Sequence, residues 1–376
     1  MNLWDIQADD WDQALLALVA GGEGGVSSLR EKLGDVERTP GKNLGKISSW
    51  FVDRFGFNSG RTFFFSLHPG TNQYTDCAIF PFTGDNPSTI LALPLRPMDA
   101  IVSLGTSTTL LMVTPTYRPS AEYHLFNHPT TAGLYMFMIC YCNGALAREG
   151  IRDSLNKALR RADPATAWDA FDEAALSSPV AGRPSAADPA KIGIYFPLPE
   201  IIPSVRAGTW RFAYHKDGRL VQTGDGWDIP RDDVRALLES QALSMRLRSG
   251  PLLPPDPEAN GGLAQPRRLY VVGGGSTNHA IASVVAGVLG GFEGVYRLDV
   301  GSNACALGAA YYAAWALERS QGDAEPFEDF VAQRWDEEKH VQRIGDAYRE
   351  GLWEEYGQVL EGLRLAEEEI VQIARS

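Results

Sequence analysis

The chain has 376 residues and a net charge of −13, with 44% hydrophobic and 22% charged residues. That length supports two domains and a large core, and the composition is that of a globular protein. The acidic balance argues against nucleic acid and anionic membrane surfaces as partners. A bound polyphosphate would then depend on backbone N–H groups, helix N-termini and a metal ion rather than on a basic patch. Read more plainly, the same charge is only solubility, spread over the acidic C-terminal part.

No apolar run reaches membrane-spanning length. Met1 to Asp10 has neither the charged nor the apolar region of a signal peptide, so a cytoplasmic setting is expected. Cys77, Cys140, Cys142 and Cys305 lack metal-type spacing, and Cys140-Tyr-Cys142 is not a C-x-x-C pair; they read as buried thiols in a reducing compartment. No internal repeat, metal site or oligomeric state is legible.

In chain order, residues 1 to 57 read as short helices and loops, with a capping-box pattern at Ser28 to Glu31 and Gly34 as a C-cap. Cys77 to Phe82 reads as a strand ending at Thr83-Gly-Asp-Asn-Pro, and a helix from Pro87 to Leu93 follows. Proline in the first turn and an Asx residue before it are helix-start chemistry, so Asp85 and Asn86 are N-cap candidates. Ala100 to Leu104 and Leu110 to Val113 read as strands of a hairpin around Gly105-Thr-Ser-Thr-Thr. Such a turn can wrap a phosphate with backbone N–H groups and no lysine. A carboxylate, Asp85, close in sequence to a phosphate-holding turn suggests phosphoryl transfer to a hydroxyl.

His128 reads as a hydrogen-bonding loop residue, Tyr135 to Tyr141 as core, and Asn143 as the start of a helix. A helical segment from Asp163 to Leu176 carries Trp168, by itself a core residue. Residues 177 to 188 read as an exposed loop, Ile192 to Phe196 as a strand, and Arg231 to Arg248 as an amphipathic helix. Ser249 to Gln265 is a Pro/Gly-rich connection. Leu269 to Val272, Gly273-Gly-Gly-Ser-Thr-Asn and Ala280 to Leu289 form strand, glycine turn and helix, an anion-favouring arrangement. As a dinucleotide fingerprint it would use Asp299, but spaced glycines are missing. Asn303 to Trp315 is a small-residue packing helix; 327 to 344 and 353 to 373 read as acidic amphipathic helices of a solvated outer layer.

Pro81-Phe-Thr-Gly-Asp-Asn-Pro, Val102-Ser-Leu-Gly-Thr-Ser-Thr-Thr, Phe126-Asn-His-Pro-Thr-Thr-Ala-Gly, Val271-Val-Gly-Gly-Gly-Ser-Thr-Asn and Asn303-Ala-Cys-Ala-Leu-Gly together resemble the D-xylulose kinases, the fungal ones above all, of the FGGY carbohydrate kinase family. The resemblance runs in order over nearly the whole chain. It implies an α/β fold of the actin/hexokinase (ribonuclease H-like) type and ATP-dependent phosphorylation of D-xylulose, with Mg²⁺. Asp85 would be the general base and Asn86 a sugar contact. Gly105, Thr106, Ser107 and Thr108 would hold phosphate. Trp168, Gly274, Gly275 and Asn278 would take the nucleoside.

Two departures accompany it. No Asp-x-Gly-Thr phosphate motif precedes the hairpin, so residues 1–80 are expected to be the remnant of a first domain, 81–350 the nucleotide-binding domain and 351–376 a closing helix. Gly60 to Asp76 has no counterpart in the family pattern and reads as non-native sequence, such as translated intron, with a surface loop bearing an apolar tip as the runner-up; His68 within it gets no catalytic weight. Competing readings are an inactive nucleotide-binding fragment and an NAD-dependent dehydrogenase built on Gly273.

Overall fold

A computed structural model describes residues 3–55, 77–81, 83–254, 264–300, 303–322, 325–344 and 351–375. The run Gly60–Asp76 with His68, Phe82 and positions 255–263 of the Pro/Gly-rich connection lie outside these. Two compact units are formed. The smaller comprises Met1–Pro94, Phe126–Ala132 and Ser302–Trp335; the larger comprises Leu95–Leu125, Gly133–Gly301 and Asp336–Ser376. Residues up to Pro94 thus group with the first unit, and Leu352–Arg375 with the second, where the sequence draws boundaries at 80 and 350.

The main sheet of the larger unit has neighbouring strands Val341–Arg343, Gly294–Leu298, Arg268–Val272, Ala100–Leu104, Thr108–Thr114 and Tyr135–Tyr141. The central pairs, Ala100–Leu104 with Arg268–Val272 and that strand with Gly294–Leu298, are parallel. The hairpin pair and its neighbour Tyr135–Tyr141 are antiparallel. These strands are continuous apolar runs because both faces are covered, as parallel sheets require. Asp99, fully buried, aligns the two central strands. Its carboxylate accepts from the Arg96 N–H (2.9 Å), the Arg267 guanidinium (2.5 Å) and the Arg268 N–H (3.3 Å). Burial nevertheless pushes its carboxyl upward.

The helix Arg231–Ser249 departs from the amphipathic reading, since it is buried nearly all round. Its charged residues are paired inside the unit. Asp233 receives Arg211 at 2.6 Å and the Tyr195 hydroxyl at 2.7 Å. Glu239 receives Arg235 at 2.7 Å and the Tyr356 hydroxyl at 2.8 Å. Arg248 donates to Glu367 at 2.8 Å. Polar side chains here mark internal ion pairs, not a wet face, which is why a pattern-based reading misassigns them.

The last helix, Leu352–Arg375, buries Tyr356, Val359, Leu363, Ala366 and Ile370, so one face is core rather than solvated layer. The expected helix 327 to 344 is not continuous. Phe327–Ala332 is a short helix with Phe327, Phe330 and Val331 buried. Asp336 caps a separate turn, Glu337–His340, and Val341–Arg343 becomes a sheet-edge strand. The loop 177 to 188 holds a turn at Val180–Gly182 that places Ala181 in the core.

In the smaller unit, the Ser28 capping box does not form. The helix Glu23–Leu33 already starts after Gly22, while Gly34 does terminate it. The strand at Cys77 shrinks to Ala78–Ile79, paired with Gly45–Lys46. The small-residue helix Ala304–Ser320 packs on Asp85–Ile90. A Cβ on Gly308 would stand 1.8 Å from the Ser88 carbonyl oxygen, and the Ser88 hydroxyl donates to the Cys305 carbonyl (2.8 Å). Leu91, Tyr312, Trp315, Phe327 and Phe330 fill the adjoining core. His128, in the same unit, is buried with its Nδ1 3.4 Å from the Thr130 N–H.

Gly308→Ala is expected to destabilise this unit by about 1–3 kcal/mol or more, because the obstacle is backbone; a lowered thermal midpoint checks it. Burial pulls the His128 imidazole down to about 4 from its ordinary 6.5, against a smaller upward pull from Glu328. The unfolded chain therefore binds the proton first as pH falls. Stability associated with neutral His128 is fully present above pH 6.5 and is lost toward pH 4, on the order of 3 kcal/mol. Unfolding midpoints of the parent and His128→Asn, measured from pH 7 to 4, should show a shallower decline in the variant.

Candidate active site

Ser103 pairs with Val272 in parallel, so the hairpin turn and the glycine turn leave the same end of the sheet. In open α/β sheets that end is where ligands bind. The approach is tight. Gly273 has φ 84°, and a Cβ there would lie 3.1 Å from the Leu104 carbonyl carbon and oxygen. A Cβ on Gly275 would lie 2.8 Å from the Leu104 Cβ. Only glycine lets the two backbones come this close. Gly274, by contrast, faces open space.

The hairpin turn spans Gly105, Thr106 and Ser107, with Leu104 paired to Thr108. Thr108 therefore belongs to the strand and is buried, while Thr106 and Ser107 are exposed. Both turn carbonyls face inward. The Gly105 oxygen accepts from the Ala145 N–H (3.0 Å), and the Thr106 oxygen from the N–H groups of Gly144 and Ala145 (3.1 Å each). The N–H groups of Thr106 and Ser107 donate to nothing among the described residues. Committed carbonyls and open N–H groups make a turn suited to an anion.

Three residues behind the turn escaped sequence reading. Arg148, 1% exposed, donates to the Gly105 carbonyl (3.2 Å), the Thr108 hydroxyl (3.5 Å) and Gln241 Oε1 (3.0 Å). Gln241 Nε2 donates to the Asn143 carbonyl at 2.7 Å. The buried Glu200 carboxylate accepts from the N–H groups of Cys142 and Asn143, both at 2.9 Å, and from the Asn143 amide, also at 2.9 Å. This mesh seats the start of the helix Ala145–Ala158 against the turn. The contacts join positions 40 to 98 residues apart, so no local motif announces them. A cavity of about 30 Å³ beside it, lined by Thr108, Tyr141, Ser244 and Glu367 among others, has room for water only.

At the glycine turn, residues Gly274–Thr277 form a 3₁₀ turn before the helix His279–Leu289. Asn278 is the N-cap. Its Oδ1 accepts from the Ile281 N–H (2.9 Å) and its Nδ2 donates to Asp172 Oδ1 (2.7 Å). Asp172 was not singled out by sequence. Burial pushes its carboxyl upward, opposed by the Asn278 hydrogen bond. Trp168 caps the helix Asp169–Ser177, with Phe171 edge-on at 5.1 Å and the Arg152 guanidinium 4.6 Å above its ring. Gly105 to Thr108, Gly274, Gly275, Asn278 and Trp168 thus all belong to the larger unit, linked through Leu104, Arg148 and Asp172.

Asp85 and Asn86 belong to the smaller unit. The helix there spans Asp85–Ile90 with Gly84 as N-cap and no side-chain cap. The expected start at Pro87, with Asp85 and Asn86 as caps, is therefore corrected; they are the first two helical residues. Asp85 Oδ1 accepts from the Asn86 N–H (2.8 Å) and Nδ2 (3.2 Å). Its Oδ2 accepts no hydrogen bond among the described residues, and the residue is exposed. Among the described residues no three His, Cys, Asp or Glu side chains cluster as a metal site.

Residues 100–317 match the model of the FGGY family of carbohydrate kinases, C-terminal domain. The chain belongs to this family. It is 52% identical over 99% of its length to the "Probable D-xylulose kinase A" of Aspergillus terreus, covering 61% of that protein. It is also 52% identical to the "D-xylulose kinase A" of Aspergillus niger, covering 62%. The chain thus spans about three fifths of the length of these curated relatives. Among solved structures, xylulose kinase from Rhodospirillum rubrum superposes with a TM-score of 0.66 at 18% identity, over 100% of this chain and 63% of that one. Ligand-bound xylulose kinase from Lactobacillus acidophilus gives 0.64 at 15% identity, over 98% and 62%. The fold is the α/β, actin/hexokinase-like one. Family membership sets aside the dehydrogenase reading, and the glycine turn here enters a 3₁₀ turn rather than a helix directly.

Gly144→Ala should dislodge the turn. Its Cβ would meet the Thr106 oxygen at 2.7 Å and the Gly105 oxygen at 2.9 Å, both backbone. A loss of about 1–3 kcal/mol in stability is expected, together with increased hydrogen exchange at residues 105–107, read by mass spectrometry.

Proposed function

We propose that this chain serves the ATP-dependent phosphorylation of D-xylulose at its terminal hydroxyl, giving D-xylulose 5-phosphate and ADP. The observation that carries the nucleotide half is the open-N–H turn at Thr106 and Ser107 pressed, through Leu104, against the glycine turn. The sugar half is supported by the relatives named D-xylulose kinase.

In this reading Gly105 to Thr108 hold the phosphates. Gly274 and Gly275 face the nucleoside, Gly274 with open space where a side chain would stand. Trp168 offers ring surface not taken by Arg152. Asn278 has both amide ends engaged, so its part is to fix the helix start beside the ligand and to present its remaining amide hydrogen. Asp85 accepts the sugar proton on Oδ2 while the hydroxyl oxygen bonds to the γ-phosphorus and the bond to the bridging oxygen breaks, releasing ADP. Asn86 steadies the other carboxylate oxygen and contacts the sugar. Proton transfer of this kind contributes less than positioning and charge stabilisation. Mg²⁺ would travel on the nucleotide phosphates. Among the described residues no helix is long and apolar enough to cross a membrane. A cytoplasmic setting suits the substrates and the four unpaired thiols.

The test is D-xylulose-dependent ADP release with Mg·ATP. Asp85→Asn is expected to lower kcat by about 10²–10⁴-fold with the KM for ATP changed little. Mg·ATP binding without ADP release in the parent would leave a nucleotide-binding chain and remove the transfer step. Stabilisation by NAD and not by Mg·ATP would overturn the reading.

A further inference from the structure

Arg148 differs from three other arginines of its unit, the buried Arg248 and the half-buried Arg211 and Arg235. Arg211, Arg235 and Arg248 each meet a carboxylate, at 2.6, 2.7 and 2.8 Å, and each guanidinium is held above its ordinary pKa. Arg148 meets only neutral acceptors, namely one carbonyl, one hydroxyl and one amide oxygen. No hydrogen-bond or ion-pair partner of Arg148 among the described residues is a carboxylate. Its acidic neighbour Glu149 is exposed. Burial pulls the guanidinium down to about 10, the opposite direction from its paired counterparts.

A buried cation without a counter-ion is costly. The first turn of a helix, where Arg148 sits, adds an unfavourable dipole. A chain of net charge −13 has many carboxylates, yet among the described residues none bonds to Arg148, and Glu149 acts on it only through space. The position accounts for this. One guanidinium nitrogen bonds the Gly105 carbonyl and lies 3.6 Å from where a Gly275 Cβ would be. The charge therefore sits directly behind the junction of the hairpin turn and the glycine turn.

We propose that Arg148 is the built-in counter-charge for the polyphosphate of a bound nucleoside di- or triphosphate. It acts through the hairpin as a positioning residue. It holds the Gly105 carbonyl inward, so that the N–H groups of Thr106 and Ser107 stay outward. It also projects positive potential through a low-dielectric wall onto the β- and γ-phosphates. This rests on the nucleotide reading above.

The experiment compares AMP, ADP and ATP binding, with Mg²⁺, by calorimetric titration of the parent, Arg148→Met, Arg148→Lys and Gln241→Glu. The parent should bind ADP and ATP more tightly than AMP. Arg148→Met should lose about tenfold of that gain, with AMP affinity kept within about twofold, and Arg148→Lys should restore part of it. Gln241→Glu places a carboxylate where the amide oxygen now meets Arg148 at 3.0 Å. If Arg148 were only structural, that stronger pair would leave the gain intact. As a counter-charge it should be neutralised, and the gain should fall in a folded protein even if Arg148→Met does not fold. An unchanged ADP-over-AMP gain in Gln241→Glu and in whichever Arg148 variants fold would overturn the inference and leave the nucleotide reading standing. A parent that binds no nucleotide would overturn both.

Discussion

The larger unit depends on one close approach, the backbone of Gly273 to Gly275 against Leu104. Parallel pairing of the two central strands sets the turns side by side, and the missing Cβ atoms let them touch. Everything at the candidate nucleotide site follows from that contact. The hairpin carbonyls are committed to the helix Ala145–Ala158, the outer N–H groups are open, and the guanidinium of Arg148 is sealed behind both turns. A side chain at either glycine would hold the turns apart by the thickness of a methyl group, and the two halves of a nucleotide would no longer meet one surface.

The same unit shows how charge is accommodated away from solvent. The helix Arg231–Ser249 carries paired charges on several sides. Asp233 and Arg248 find partners of opposite sign on other elements, and Glu239 finds Arg235 one turn away on the same helix. Those pairs fix the orientation of the strand Gly208–Tyr214, the helix itself and the last helix without leaving net charge. Against those pairs, Arg148 stands out because its acceptors are all neutral. Departures from such rules tend to fall at functional sites.

Legibility in the sequence followed locality. The hairpin, the glycine turn and the helix capped by Asn278 are contiguous strings with fixed geometry, and they were readable as such. The mesh of Arg148, Gln241, Asn143 and Glu200 was not, because each contact joins residues far apart in the chain. Periodicity misled twice for a shared reason. Charged residues on the helix Arg231–Ser249 looked solvated but are paired inside. The acidic stretch after Val331 kept helix-like composition while Asp336 restarted the chain and Val341–Arg343 joined the sheet. Asp85 and Asn86 looked like caps because Pro87 is a common first-turn residue, yet the helix begins at Asp85 itself.

The contact between Ser88 and the helix Ala304–Ser320 has a consequence in time. The hydroxyl of Ser88 bonds a carbonyl 217 positions later, and Gly308 is the residue that lets the two backbones meet. The short helix bearing Asp85 therefore waits for this docking partner until the chain has been made through Gly308. At ribosomal rates of about 5–20 residues per second, that interval is roughly 10–40 s. During it the sheet strands Ala100–Leu104, Thr108–Thr114, Tyr135–Tyr141 and Arg268–Val272 all emerge. The candidate base thus precedes the phosphate turn in the chain and is seated after it. A nascent chain would own its phosphate turn well before it owned a fixed carboxylate.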